Sequence, residues 1–139
     1  LATGTVVVVR HASARSRAAW DGTEALRPLT SSGAKQADGI VPVLAAYGVA
    51  AVVTSPWERC AATVAPYAKA SGIVPEPLEA LTEVGHAAKP GRVRKLAKAH
   101  YLAAAARAGV ALCTHRPVLP TLLEPIDEIA PGWIARSPN

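Results

Sequence analysis

Residues 5–9, Thr-Val-Val-Val-Val, form a β-branched run with no polar alternation. Such a run predicts a central parallel strand covered on both faces. Arg10, His11 and a loop reaching Pro28 follow it. Thr30 reads as the N-cap of a helix running to about Tyr47, with Gly48 as its stop. Pro42 inside that stretch demands a kink or an early end. A second β-branched run at 49–54 closes on Ser55-Pro56, and a helix over 57–70 comes next, with Gly72 ending it and Pro66 a further kink point. Residues 75–81 are short and proline-broken, so a strand there belongs at a sheet edge. Residues 92–107 are alanine-rich, basic and helical by propensity. The last clear strand, 110–113, runs directly into Thr114-His115-Arg116. A helix is expected at 119–126, and the Pro-rich stretch from Pro131 carries no defined element.

Strand–helix alternation of this kind predicts an α/β protein: a three-layer αβα fold with a mostly parallel central sheet. In such sheets ligands bind at the carboxyl ends of the strands. Three strand ends deliver Arg10-His11, Ser55 to Arg59, and Thr114-His115-Arg116. Their convergence on one pocket is the main functional expectation.

Composition narrows the setting. At 139 residues and half apolar, the chain supports one domain with its own core, since single cores commonly run to ~100–150 residues. Residues 1–139 are therefore expected to form a single domain. The absence of Met leads us to expect a trimmed chain or a domain of a longer protein. No apolar run approaches ~18 residues, and the first residues lack the layout of a signal peptide, so no membrane partner is expected. Cys60 and Cys113 lie far apart without C-x-x-C spacing, which suits reduced thiols in the cytoplasm. The formal charge is +5, with Arg10, Arg15 and Arg17 clustered after the first strand. A basic cluster suits nucleic acid, anionic membrane or a phosphorylated small molecule. Three Trp, three Tyr and no Phe leave too little for a base-stacking platform, which disfavours nucleic acid.

Two histidines and several arginines at neighbouring strand ends suit phosphoryl transfer. Arginine forks bind non-bridging phosphate oxygens bidentately, and a neutral imidazole nitrogen can attack phosphorus to form a phosphohistidine. Neither a metal nor another cofactor is expected. There is no H-E-x-x-H spacing, and an arginine beside each histidine repels a cation.

These residues resemble the histidine phosphatase superfamily, the phosphoglycerate-mutase-like or R-H-G family, and most of the chain takes part. A hydrophobic strand ending in Arg10-His11-Ala12 is similar to the family's nucleophile motif. Leu26-Arg27-Pro28-Leu29-Thr30, with Gly33 after it, resembles the stretch that opens the first helix. The segment from Thr54 to Thr63 is similar to the one carrying the second pocket arginine, here Arg59, and Leu81-Thr82-Glu83 to the position of the proton donor. Cys113-Thr114-His115-Arg116 matches the second pocket histidine. Ala12 stands where the family has Gly, and Ala14 where it often has a hydroxyl, leaving Ser13 and Ser16 as substitutes. The short R-H-A form resembles the SixA branch. It is also similar to phosphatase domains fused behind MutT-type Nudix hydrolases, which implies an N-terminal Nudix domain in the same chain.

The resemblance implies His11 as nucleophile, with its second ring nitrogen donating to a backbone carbonyl. It implies Arg10, Arg59 and His115 as phosphoryl clamps, with His115 counted in the catalytic set, and Glu83 as proton donor, with Glu79 its competitor. Arg17, with Arg15 and Arg116, would reach a distal phosphate or nucleotide, and His86 would line the pocket. The expected activity is metal-independent hydrolysis of a nucleotide-like or other small phosphorylated substrate. A protein phosphohistidine phosphatase and a non-catalytic phosphate-binding domain of a Nudix fusion protein are the alternatives.

Overall fold

The computed structural model describes residues 4–130. The Pro-rich stretch from Pro131, Trp133 included, lies outside the described residues. Four strands, β1 (Val6–Arg10), β2 (Val49–Thr54), β3 (Glu76–Pro77) and β4 (Gly109–Thr114), form one parallel sheet in the order β1-β4-β2-β3. Helices α1 (Ser31–Gly39), α2 (Val41–Ala46) and α3 (Glu58–Ser71) follow β1 and β2. Helices α4 (Glu83–Ala88), α5 (Pro90–Ala103), α6 (Leu119–Leu123) and α7 (Ile126–Ile129) complete the chain. The expected α/β architecture, with helices on both faces of a parallel sheet, is the one observed. No helix among the described residues is long and apolar enough to cross a membrane.

Two apolar layers sandwich the sheet. On one face Leu44 of α2 and Val64 and Tyr67 of α3 pack on Val52, Ala111 and Cys113, with Val7 and Val9 alongside. On the other face Val93 and Ala97 of α5 and Leu122 of α6 pack on Val53, Val110 and Leu112, with Val6 and Val8 alongside. The valines of β1 thus serve both layers, as their pattern predicts. Among the described residues, however, β1 lies at a sheet edge and its valines are only half-buried, which corrects the expectation of a central strand. The central, fully buried strand is β4. A β-branched run records that both faces meet apolar layers, not how many strands flank it.

Local signals set most element ends. The Thr30 hydroxyl accepts the Gly33 N–H at 3.0 Å and caps α1. The helix expected over 30–47 is two, broken at Ile40, with Pro42 in the first turn of α2, where its missing N–H leaves no intrahelical bond unmade. Gly72 ends α3 with φ of +76°, a conformation that a side chain would strain. Helix α4 was not expected from the pattern; the Thr82 hydroxyl caps it by accepting the Gly85 N–H at 2.9 Å. The helix expected at 119–126 is likewise split into α6 and α7, with Pro125 capping the second.

Gly33 lies directly beneath the loop after β1. A Cβ there would overlap the Ser13 carbonyl oxygen, backbone that is itself held by the Thr30 N–H at 3.0 Å. Gly33→Ala should therefore destabilise the protein by about 1–3 kcal/mol in chemical denaturation. Gly39→Ala, which meets nothing within 4 Å, should be neutral or stabilising by about 0.4–1 kcal/mol. Equal effects at the two positions would contradict this account of the loop.

Candidate active site

Register brings the chemistry together. Arg10 lies opposite Thr114 and Thr54 opposite Cys113, so β1, β4 and β2 end at one level. His11 leaves the sheet with its N–H on the Thr114 carbonyl (3.1 Å), and Ser55 with its N–H on that of Cys113 (2.9 Å). A cavity of about 620 Å³ opens at these ends. Arg10, His11, Arg17, Arg59, Glu83 and His115 all line it.

His11 Nδ1 lies 2.7 Å from the Ala12 carbonyl oxygen. A carbonyl only accepts, so Nδ1 holds the proton and Nε2 keeps its lone pair. Burial pushes the His11 pKa below its ordinary value, and the neighbouring His115, Arg59 and Arg10 push the same way against the raising effect of the Ala12 bond. The Thr63 hydroxyl accepts the Ala12 N–H (2.9 Å) and donates to the Arg59 carbonyl (2.6 Å), tying the loop to α3.

His115 is fully buried, with Nε2 at 2.8 Å from Ser55 Oγ and Nδ1 at 3.7 Å from Glu83 Oε2. Its ring meets Trp57 edge-on at 5.1 Å and His11 at 5.5 Å. Hydrogen bond and packing together fix its orientation.

Arg59 is also fully buried, at 0% exposure. Its Nη2 lies 2.5 Å from Glu83 Oε2 and 3.3 Å from Glu24 Oε2, while Nη1 donates to the Glu24 carbonyl at 2.8 Å. The guanidinium carbon sits 5.1 Å from the centre of the Trp57 ring, within cation–π range. Arg59 Nε is the one buried side-chain polar atom among the described residues without a hydrogen-bond partner. An unpaired donor of this kind is rare in folded proteins and suits an anion-binding position.

Glu83 bonds Arg59 through one oxygen and Arg17 (3.3 Å) through the other. Glu79 is different: its side chain is exposed and outside the cavity lining, and its carbonyl accepts the Thr82 hydroxyl. Of the two acids weighed from sequence, Glu83 alone faces the cavity. Arg116 and Ser13 line it; Arg15, Ser16 and His86 do not, the last sitting 2.7 Å from Thr121 Oγ1.

Sequence reasoning passed over Glu24 and named Arg27 only within the stretch that opens the first helix. Arg27 is buried, lines the cavity, and holds Glu24 through Nε (2.9 Å) and Nη2 (3.2 Å). Their i,i+3 spacing was the available signal. Ser55 was seen only as a strand end, and its contact with His115 spans 60 positions that no local pattern connects.

Comparisons with known proteins give the family and the fold. Residues 6–107 match the family described as histidine phosphatase superfamily (branch 1). An 8-oxo-(d)GTP phosphatase of Mycolicibacterium smegmatis is 37% identical over 125 residues, covering 88% of this chain and 37% of its own length. The chain therefore spans little more than a third of that relative. In fold the chain resembles the protein histidine phosphatase SixA complexed with tungstate, with a TM-score of 0.68, 24% identity, and coverage of 95% of this chain and 80% of that one. It also resembles the mycobacterial glucosyl-3-phosphoglycerate phosphatase, with a TM-score of 0.67, 17% identity, and coverage of 89% and 82%.

The His11 environment has a pH signature. Its folded pKa is lowered, so the unfolded chain binds the proton more readily and stability rises with pH between the folded pKa and 6.5. That contribution is present above 6.5 and is lost as pH falls through the folded value. An NMR titration of the His11 ring should give a midpoint below 6.5, and His11→Asn should flatten the stability slope in that window. A midpoint at or above 6.5 would contradict the assigned environment.

Proposed function

The chain belongs to the histidine phosphatase superfamily, and on that premise we propose that it is a metal-independent phosphohydrolase acting through a phosphohistidine on a nucleotide-like or other small phosphorylated substrate. The carrying observation is His11, whose Nδ1–H is committed to the Ala12 carbonyl and whose Nε2 stays unprotonated beside Arg10, Arg59 and His115. In the first step Nε2 bonds to phosphorus, and the bond from phosphorus to the leaving oxygen breaks. Arg10, Arg59 and His115 hold the non-bridging oxygens and stabilise charge that grows in the transition state. Glu83, protonated from the substrate's phosphate monoanion as the phosphoryl group enters, gives that proton to the leaving oxygen. A bound phosphoryl group competes for Arg59, which together with Arg17 holds the Glu83 carboxylate in the free protein. In the second step Glu83 takes a proton from water, the water oxygen bonds to phosphorus, the P–N bond breaks and orthophosphate leaves.

Support for a nucleotide comes from the M. smegmatis relative and from the size of the cavity, whose five arginines exceed what one phosphoryl group needs. A protein phosphohistidine phosphatase is the second reading, favoured by the SixA-like fold and by the exposure of Arg10 and Arg116 at the cavity mouth. Relative turnover of a free nucleotide and a histidine-phosphorylated protein domain separates the two. The same reading takes residues 1–139 as one phosphatase domain in the cytoplasm, where the buried Cys60 and Cys113 stay thiols.

Single-turnover labelling with a radiolabelled phosphate donor in EDTA should give an acid-labile, base-stable adduct that His11→Ala abolishes. No adduct and no turnover, with phosphate still bound, would turn the assignment to a phosphate-binding domain. Glu83→Gln should slow alkyl phosphates by about 10²-fold or more and p-nitrophenyl phosphate far less, because only the poorer leaving group needs a proton. Equal losses on both substrates would remove Glu83 from the donor role.

A further inference from the structure

One carboxylate, held by three arginines of the cavity lining, is bound as a ligand would be. Glu24 Oε1 lies 2.9 Å from Arg27 Nε and 3.7 Å from Arg17 Nε, and Oε2 lies 3.2 Å from Arg27 Nη2 and 3.3 Å from Arg59 Nη2. All three arginines line the cavity. Arg27 offers the two-point fork that guanidinium groups offer to phosphate. Its third nitrogen is fixed on the Arg15 carbonyl at 2.5 Å, so the fork keeps its aim whether or not Glu24 is present. The Glu24 side chain is 40% exposed, whereas that of Arg27 is 10% exposed. The anion can swing into solvent while the cation cannot.

Arg59 Nη2 is shared by two carboxylates, Glu83 on the side of the two histidines and Glu24 on the side of Arg27. Neighbouring phosphoryl groups of a diphosphate, joined through one bridging oxygen, share a cation in the same way. We infer that Glu24 is an internal counter-anion occupying a second anion subsite, and that Arg17 and Arg27 receive the second phosphoryl group of a diphosphate ester when Glu24 swings out. The ligand class is a nucleoside diphosphate or similar diphosphate ester. The inference rests on the phosphohydrolase reading for its substrate but not for its binding geometry. Burial opposes the charge on Glu24, yet its Arg27 hydrogen bond and the charges of Arg27, Arg59 and Arg17 hold its pKa below the ordinary value, so it competes as an anion at neutral pH. A partly exposed carboxylate is a weak competitor, and a phosphoryl group bearing up to about two negative charges displaces it.

The test is calorimetric binding of orthophosphate and of imidodiphosphate, whose P–N–P bridge resists hydrolysis, to wild type, Glu24→Gln and Arg17→Gln. Glu24→Gln should tighten imidodiphosphate by about fivefold, the equivalent of roughly 1 kcal/mol, while moving orthophosphate less than about twofold. Arg17→Gln, at a side chain 67% exposed, should loosen imidodiphosphate by about fivefold and orthophosphate by clearly less. Should Glu24→Gln not fold, the Arg17→Gln selectivity decides. Equal shifts for the two anions in the folded variants, or weaker imidodiphosphate binding to Glu24→Gln, would overturn the inference. Because these are equilibrium measurements without turnover, a missing phosphoenzyme would leave them readable, and a missing selectivity would leave the labelling result intact.

Discussion

A guanidinium withdrawn from water organises this protein. Arg59 is fully buried, and a buried charge is tolerated only when other charges and hydrogen bonds replace its hydration. Here the replacement comes from Glu83 at the start of α4, from the Glu24 side chain and carbonyl in the turn before α1, and from the Trp57 ring at the head of α3. Three segments far apart in sequence are thereby drawn to one point. Removing one partner of such a pair costs about 3–5 kcal/mol, mostly because the other charge is left buried alone. The ionic cluster is thus structural in the free protein.

The sheet supplies the platform on which that cluster is assembled. Parallel register ends β1, β4 and β2 at a common level, so the residues that follow them meet without any long loop to position them. The two histidines are then held by different means. His11 is oriented by its own neighbour's carbonyl and by a loop tied through Thr63 and Gly33, which makes it accessible and half-buried. His115 is wedged among Ser55, Cys60 and Trp57 and is fully buried. Under the proposed mechanism a nucleophile has to reach phosphorus, whereas a clamp has to stay still, and the two environments suit those two tasks.

Much of this was legible in the chain itself. The strand–helix alternation, the caps at Thr30 and Gly72 and the placing of Arg10, His11 and His115 at strand ends follow from side-chain periodicity and turn chemistry, which act over a few residues. The edge position of β1, the two-helix form of 31–46 and the existence of α4 did not follow. Pairing partners come from elsewhere in the chain, and a six-residue helix capped by Thr82 is too short to leave a periodic trace.

What the sequence determined by itself was a parallel α/β frame with paired His and Arg groups at its strand ends, because β-branched runs, caps and strand termini are written locally. Only the tertiary structure placed Glu83 and not Glu79 in the cavity lining, brought Ser55 to His115 and set Glu24 on three arginines. Those outcomes depend on where a buried cation finds its counter-charges, and Arg59 reaches across 24 positions to Glu83 and 35 to Glu24. Electrostatic neutralisation in a low-dielectric interior is a property of the assembled fold, and no window of sequence contains it.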